Sequence, residues 1–206
     1  MPSTTTAVDR SEFRHVLISG TWTGVITALA VIVFLFISRV VPDGIVQAIL
    51  EMIVVLAGAV AVSFLPAFWV TARTTQGIAS AAAIGLWGTI VFMAIDIVLL
   101  RPFRAFPWTW DAVGGGSTWW YLPIWWMLGT FLAWMGALVT AGRAARTADG
   151  ADVSIRALAL PILIGAVVLA VIATLVRLHI YLPVAAGGGF ALLLTVFALV
   201  AIARRD

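Results

Sequence analysis

Six apolar runs occupy most of this chain, and each is long enough to cross a lipid bilayer. Charges and turn residues separate them, as at Pro42, Asp43 and Gly44. A helix rises about 1.5 Å per residue, so about 20 apolar residues cross the roughly 30 Å of hydrocarbon. The sequence therefore predicts an all-α, polytopic integral membrane protein built as a six-transmembrane-helix bundle. The runs cover residues 16–41, 45–71, 77–100, 118–140, 156–176 and 184–203.

The composition supports this class of protein and excludes several kinds of site. Of the 206 residues, 63% are hydrophobic and 10% are charged, whereas about a quarter of the residues of a soluble domain are charged. The chain has no cysteine, which excludes disulfides, thiolate metal ligands and cysteine nucleophiles. We interpret residues 1–15 as a polar cytoplasmic segment and residues 16–206 as one membrane domain. A polar stretch at about 141–155 is predicted to be a cytoplasmic linker.

An aromatic stretch from Arg101 to Trp134 holds seven of the ten tryptophans. Tryptophan concentrates where hydrocarbon meets water, because its ring buries apolar area while its N–H stays hydrated. The first part of the stretch, at about 101–118, is therefore predicted to be a Trp-rich interfacial outer loop, after which the chain re-enters the membrane.

Two pairs of adjacent tryptophans follow, Trp119–Trp120 and Trp125–Trp126. Neighbours in a helix point about 100° apart, so the two rings of a pair cannot both face lipid squarely. We hypothesise that one ring of each pair packs inward, as a lid over the outer polar cluster or against a partner, while the other anchors at the headgroups. Trp126 and Thr130, one turn apart, are predicted to continue the inward face.

The arginines determine the predicted orientation, and they account for all twelve basic residues. Six spans place both termini on one side of the membrane. If that side is the cytoplasm, eight arginines are cytoplasmic and four are outside, which agrees with the excess of basic residues in cytoplasmic loops. We therefore predict a multi-pass protein of the cytoplasmic membrane with both termini inside. The outer set is Arg39, Arg101, Arg104 and Arg177, and the cytoplasmic set is Arg10, Arg14, Arg73, Arg143, Arg146, Arg156, Arg204 and Arg205.

Two carboxylates lie within the predicted helices, where a charge costs about 2.5–3.5 kcal/mol at the bilayer centre. Glu51 and Asp96 both belong to the outer half of the membrane. Gln47 shares the helix face of Glu51, and Thr89 shares that of Asp96. Both carboxylates should face protein, not lipid. In one interpretation they pair with arginines of neighbouring helices and fix the packing, and in the other they line an outward-open pocket for a cation or polar solute.

The candidate ligand-binding residues are Glu51, Asp96, Trp119, Trp120 and His179. The two histidines, His15 and His179, belong to opposite membrane faces, so they cannot share a haem, zinc or copper ion. We predict neither a metal site nor a cofactor. The chain contains no GxSxG, Walker or HExxH motif, and no catalytic residue is assigned. A membrane enzyme that uses Asp96, Asp111 and His179 for acid–base chemistry on a lipid headgroup is the third alternative.

Small residues recur along several of the predicted helices. Gly20 and Gly24 form a GxxxG pattern in the first run, and Gly129 and Gly136 share a face of the fourth. Such faces let helices approach closely. Packing inside one bundle is the favoured interpretation, and association with another subunit is the alternative. The glycines at 187–189 in the sixth run indicate either close helix approach or local unwinding.

The missing catalytic motifs and the small polar segments favour a non-catalytic integral membrane subunit of a larger assembly. Such a subunit would act through helix packing and its outer aromatic surface. The alternative is a small-solute binding or transport protein with an outward-facing site near Glu51 and Asp96. The size and six-span plan resemble the small solute-binding membrane subunits of energy-coupling-factor vitamin transporters, and this topological resemblance implies capture of a substrate near the outer face. The expected partners are the lipid bilayer and other membrane subunits, without nucleic acid.

Overall fold

The computed structural model describes residues 13–100, 121–146, 154–176, 178 and 180–204. Every regular element in these ranges is helical, and all six long helices have the length and apolar character needed to cross a membrane. The predicted all-α, six-helix, multi-pass membrane protein is therefore confirmed. The elements are α1 (Phe13–Val40), α2 (Ile45–Trp69), α3 (Thr75–Ile95), a π-helical segment (Asp96–Leu100) that continues α3, α4 (Tyr121–Ala144), α5 (Ile155–Leu175) and α6 (Leu182–Ala203).

Two differences from the sequence-based boundaries concern the polar segments. α1 begins at Phe13, so the last residues of the predicted N-terminal segment belong to this helix. α4 continues to Ala144, so the first residues of the predicted linker are helical as well. The rest of that linker, at 147–153, and the aromatic loop at about 101–118 lie outside the described residues.

The helices alternate in direction, and contacts between their ends identify the two faces of the bundle. His15, near the start of α1, hydrogen-bonds through Nε2 to the carbonyl oxygen of Trp69 at the end of α2, at 3.0 Å. Gly142, near the end of α4, lies against Ala201, near the end of α6. We call this side the terminal face. The opposite side, which carries the α1–α2 turn and the π segment, is the distal face.

Five of the helices close into a ring. α1 packs on α3, α3 on α4, α4 on α6, α6 on α2, and α2 on α1. α5 lies outside this ring and packs mainly on α6. Because α2 also contacts α3 and α4 across the ring, it touches every other helix and is the central element of the fold.

Glycines determine how closely the ring closes. A Cβ atom added to Gly136 of α4 would lie 1.8 Å from the carbonyl oxygen of Ser63 in α2, so only glycine permits this backbone contact. A Cβ atom added to Gly24 of α1 would lie 2.6 Å from the carbonyl oxygen of Gly88 in α3. Gly20 packs against α3 in the same way. These small-residue faces therefore pack within the bundle, as the favoured interpretation holds.

The three glycines at 187–189 lie inside the continuous helix α6. Local unwinding is therefore wrong as an explanation for them. A Cβ atom added to Gly189 would lie 3.4 Å from the carbonyl oxygen of Ala166 in α5, which is a close helix approach. Gly188, in contrast, has no neighbouring atom within 4 Å of its added Cβ.

Candidate functional site

Glu51 lies in the second turn of α2 with only 1% of its surface exposed. Its carboxylate accepts hydrogen bonds from two hydroxyls. The Ser38 Oγ atom donates to Oε1 at 2.5 Å, and the Tyr181 hydroxyl donates to Oε2. Gln47, which is 8% exposed, donates from Nε2 to the carbonyl oxygen of Ser38 at 3.2 Å. We call Ser38, Gln47, Glu51 and Tyr181 the Glu51 cluster.

Local structure at the distal face brings these side chains together. Residues 41–44 form a short turn between α1 and α2, so Ser38 lies beside the second turn of α2. Tyr181 is the residue that precedes α6, and Pro183 lies in the first turn of that helix. Proline is favoured at helix starts because its missing N–H would have no intrahelical partner there. The start of α6 thereby holds Tyr181 within reach of Glu51.

The structure confirms part of what the sequence indicates about Glu51 and adds two partners. Its inward orientation and the face that it shares with Gln47 are confirmed, since both side chains are buried. The first interpretation, pairing with an arginine, stays a prediction, because Arg101, Arg104 and Arg177 lie outside the described residues. The described partners of Glu51 are the hydroxyls of Ser38 and Tyr181. Sequence reasoning missed both. Ser38 was detectable as the polar residue that a tight turn places opposite Glu51, whereas Tyr181 is 130 positions away along the chain.

Tyr181 links the buried carboxylate to the distal surface. The residue is 49% exposed as a whole, although its hydroxyl end is directed at Glu51. Burial of the phenol, the hydrogen bond to Glu51 and the negative charges of Glu51 and Asp43 raise the pKa of Tyr181 from 10.0 to about 12. The hydroxyl therefore keeps its proton at neutral pH and acts as the donor in this contact.

Asp96 is the second buried carboxylate of the distal half. It is 1% exposed and begins the π-helical segment. Thr89, two turns earlier in α3, is 9% exposed, so the predicted shared face is confirmed as a buried one. π-helical turns are rare and frequently occur at functional sites. Asp96 and the Glu51 cluster place two acidic side chains inside the protein near the same face of the bundle.

A cavity of about 280 Å³ lies inside the ring of five helices. Three glycines from three helices border it, Gly58, Gly129 and Gly187, and of these only Gly58 has no atom within 3.5 Å of an added Cβ. We call it the central cavity. Its lining consists of Thr23 and Thr27 of α1, Val55, Gly58, Ala59 and Val62 of α2, Thr89 and Phe92 of α3, Trp125, Leu128, Gly129 and Leu132 of α4, and Gly187, Phe190 and Ala191 of α6.

The polar side chains of this lining are three threonines, beside the indole of Trp125. Each threonine hydroxyl donates to the carbonyl oxygen one turn earlier in its own helix. Thr23 donates to Ser19 at 3.0 Å, Thr27 to Thr23 at 2.8 Å, and Thr89 to Gly85 at 2.8 Å. A hydroxyl has one proton to donate but two lone pairs. The threonines therefore offer the cavity hydrogen-bond acceptors, because their protons are already used.

The two buried carboxylates lie one helical turn beyond the cavity on its distal side. Val55 follows Glu51 by four residues in α2, and Phe92 precedes Asp96 by four residues in α3. Val55 and Phe92 both line the cavity. Residues four apart share a helix face and are separated by about 6 Å along the axis. Glu51 and Asp96 thus lie on the helix faces that lead from the cavity to the distal face.

One tryptophan pair lies at this end of the cavity. Trp125 lines it and packs edge-on against Phe92, with ring centroids 6.2 Å apart and an interplanar angle of 62°. Trp126 is 38% exposed. The hypothesis that one ring of this pair packs inward is therefore confirmed, although the predicted inward face through Trp126 and Thr130 is wrong because the inward ring is that of Trp125. Trp119, Trp120 and His179, predicted as ligand-binding residues, lie outside the described residues.

In the described part of the chain, the side chains that could bind a ligand by hydrogen bonds or by charge lie in the distal half of the bundle. Across residues 13–100, 121–146 and the described parts of 154–204, no three metal-ligating side chains converge. His15 belongs to the terminal face, where Ser19 and the carbonyl of Trp69 surround its Nε2 atom. Comparisons with protein-family models, with curated proteins and with solved structures find no match for this chain.

Proposed function

We propose that this protein binds a small solute in the central cavity and takes it up from the distal face, as a solute-binding or transport protein. The observation that carries the proposal is the cavity itself, which lies within a ring of five membrane helices beneath two buried carboxylates. Ligand sites in membrane bundles are concave, mostly apolar and lined by a few polar groups. Intramembrane acids are costly to keep and are functional candidates for that reason.

The distal side is the favoured entrance because the terminal half is closed. Phe64, Ala67 and Ala137 have no exposed surface there, and α2 contacts α4 directly through Ser63 and Gly136. On the distal side, Trp125 borders the cavity and the two acids lie one helical turn beyond it. A solute that arrives from this side meets polar groups before the apolar chamber.

We assign the distal face to the outside of the cytoplasmic membrane, with both termini in the cytoplasm. Seven arginines lie in the described residues, and six of them are at the terminal face while Arg39 alone is at the distal face. Basic residues are enriched on the cytoplasmic side. Cysteine labelling in sealed vesicles at Asp43→Cys and Ala145→Cys tests the assignment, because the chain has no native cysteine. Labelling of both positions from one side would overturn it.

The same absence of cysteine permits a direct test of the binding chamber. Ala59 lines the cavity, whereas Ala57 lies on the exposed side of the same helix. We expect the membrane-impermeant trimethylammonium-ethyl methanethiosulfonate to modify Ala59→Cys when it is added at the distal face. The reagent reacts with the thiolate, which forms in contact with water and not in hydrocarbon.

Ala57→Cys is the matched control, because residue 57 lies two positions before residue 59 in the same helix and is on its exposed side. It should stay unmodified under the same conditions. Equal reactivity of the two variants, or reaction of Ala59→Cys only from the terminal face, would contradict an entrance at the distal face. No reaction of Ala59→Cys from either side would contradict a solute-accessible cavity.

A second candidate function, an integral subunit of a larger assembly, is favoured by a groove on the outside of the bundle. The groove measures about 470 Å³ and lies between α1 and α3 near the terminal face. Exposed small residues line it, among them Ala79 and Ala83, together with Phe13, which is 76% exposed. Small residues spaced by one turn let a second membrane helix approach closely. The proposed occupant is therefore a membrane helix of another subunit.

Purification in mild detergent separates the two functions. Under the subunit proposal, the chain elutes with a partner at fixed stoichiometry, and Ala83→Trp releases that partner by filling the groove. Ala57→Trp, at an exposed alanine far from the groove, should leave the complex intact. A lone chain that still shows distal labelling of Ala59→Cys would leave only the solute-binding function.

A further inference from the structure

We propose that the ligand of the central cavity is a compact lipophilic amine, with an apolar body of about two fused rings and one protonated nitrogen. This inference rests on the proposed solute-binding function and names the chemical class of the solute. Three independent observations lead to it: the volume and apolar lining of the cavity, the hydrogen-bonding state of its threonines, and the position of the two acids.

The volume sets the size of the apolar body. An apolar cavity of about 150 Å³ holds one benzene ring in a well-studied soluble protein. The central cavity, at about 280 Å³, is close to twice that volume. Its side chains are mostly aliphatic and aromatic, and Phe92, Trp125 and Phe190 present ring surfaces to it. A flat two-ring body therefore fits both the volume and the lining.

The threonines select against solutes that need hydrogen-bond donors. Thr23, Thr27 and Thr89 use their protons on carbonyl oxygens of their own helices. A carboxylate or a carbonyl-rich solute buried there would lose its hydration without gaining a compensating donor, which disfavours its binding. A solute that itself donates hydrogen bonds meets acceptors instead. An N–H or O–H group is therefore favoured over an anion.

The acids decide between a cationic and a neutral donor. Glu51 and Asp96 lie one turn beyond the lining residues Val55 and Phe92, on the distal side. The described partners of Glu51 are the neutral hydroxyls of Ser38 and Tyr181. An ammonium group carries three donors and a full charge, so it can replace the Tyr181 hydroxyl at the carboxylate with a stronger, charge-assisted bond. The amine then points toward the distal face while its apolar body fills the chamber.

Three probes with one common body test this class. They are 1-naphthylmethylamine, 1-naphthalenemethanol and 1-naphthoate, which differ in charge while the two rings are kept. Equilibrium binding to the purified full chain should give the amine the highest affinity. We expect the alcohol to bind about tenfold more weakly, as for loss of one charge-assisted hydrogen bond, and the naphthoate to show no saturable binding. Equal affinities of the amine and the alcohol would overturn the preference for a cation.

Two adjacent glycines allow a test of whether the amine binds in the central cavity. Gly187 lines the cavity, and its added Cβ would lie 3.2 Å from Val55 Cγ1, whereas nothing lies within 4 Å of the added Cβ of Gly188. Gly187→Leu should abolish amine binding because it fills the chamber. Gly188→Leu should leave it unchanged and controls for partition of the probe into detergent. Binding that survives Gly187→Leu would place the amine elsewhere and overturn the proposal.

Glu51→Gln and Asp96→Asn test the charges. Each keeps the shape of the side chain, and at least one should remove the roughly tenfold advantage of the amine over the alcohol. Retained alcohol binding shows that the variant is folded and the chamber intact. If neither change lowers amine affinity, the acids do not select the cation. If no probe binds although Ala59→Cys is labelled from the distal face, the amine class fails while the solute-binding function stands.

Discussion

The contact at Gly136 and the chamber beside Gly58 are two regions of the bundle in which glycine has opposite effects. In the terminal half, Gly136 lies against the backbone of Ser63, and the alanines around this contact are fully buried. Beside the central cavity, an added Cβ on Gly58 would have Ala30 as its nearest neighbour, at 3.7 Å. Glycine therefore closes two helices at Gly136, where a backbone lies opposite, and leaves space at Gly58, where none does. Whether a glycine forms a helix contact or borders a cavity therefore depends on which atoms of the neighbouring helix lie opposite it.

The distribution of polar groups follows the same division. Several polar groups lie on the distal side of the closed contact between α2 and α4. They are Glu51, Asp96 and the cavity threonines. The closed half provides the dense packing that holds five helices at fixed positions. The open half carries the acids, which are costly to bury. Dense packing and buried acids are thus separated along the axis of the bundle.

The largest expected effect is a loss of stability when the close packing of the terminal half is disrupted. Gly136→Ala would place a Cβ atom 1.8 Å from the carbonyl oxygen of Ser63, so α4 must move away from α2. We expect a loss of at least about 3 kcal/mol in the free energy of unfolding, or no folded protein. Gly58→Ala is the matched change in the open half, and it should be neutral or stabilise by up to about 1 kcal/mol because alanine is the better helix former. Denaturant unfolding in detergent compares the two, and similar losses would contradict the division.

The next effect concerns the Glu51 cluster. Glu51→Ala removes the acceptor of two hydroxyls, and we expect the free energy of unfolding to fall by about 2 kcal/mol, as for loss of buried hydrogen bonds. Glu51→Gln keeps one acceptor oxygen and should lose less than half of that amount. Thermal unfolding of the two variants measures the difference. A larger loss for glutamine than for alanine would show that the buried hydroxyls of Ser38 and Tyr181 do not need this acceptor.

Trp125 and Trp126 allow a protein-facing and a lipid-facing ring to be compared within one turn of α4. Trp125 packs on Phe92 at the cavity, whereas Trp126 is 38% exposed. Trp125→Ala should lower the free energy of unfolding by about 1.5 kcal/mol, less than for a fully buried tryptophan because the ring is half-buried. Trp126→Ala should stay within about 0.5 kcal/mol. Equal effects measured by thermal unfolding would leave both rings as interfacial anchors.

A smaller effect of opposite sign is expected at Ser63. Its side chain is completely buried, and the Oγ atom makes no hydrogen bond to any described residue. Ser63→Ala removes this buried polar group and should raise the free energy of unfolding by up to about 1 kcal/mol. Denaturant unfolding checks the sign. A clear loss of stability would show that the hydroxyl has a bonding role in the contact with α4.

Most of the fold could be predicted from the sequence because helix length and hydropathy are local properties. The six apolar runs match the helices to within a few residues, and the buried faces of Glu51 with Gln47 and of Asp96 with Thr89 follow from helical spacing. The ring could not be predicted in this way. Which helices touch depends on contacts such as that between Gly136 and Ser63, and the small-residue pattern does not name the partner helix.

The site was predicted in part for the same reason. The two acids were recognisable from their cost in a membrane, but their partners come from other helices. Tyr181 reaches Glu51 across 130 positions, and the cavity is lined by residues of five helices that meet at one level of the bundle. Trp125 and Trp126 show how far the sequence alone can predict the orientation of a side chain. Adjacency predicts that one ring packs inward, while the rotation of α4 decides which one.

The titration of Tyr181 tests the link between the buried acid and the distal surface with the smallest perturbation. The chain has two tyrosines, so Tyr121→Phe leaves Tyr181 as the single phenol and its ionisation can be followed by tyrosinate absorbance. Its pKa is raised from 10.0 to about 12. The folded state therefore holds a proton that the unfolded state loses above pH 10, so this contribution to stability is complete below pH 10 and is lost as the pH rises toward about 12. Glu51→Gln in the same background removes one negative charge and should lower the pKa of Tyr181 toward 10. An unchanged titration would show that the phenol and the carboxylate are not coupled, and Tyr181 would then be a surface residue of the distal face.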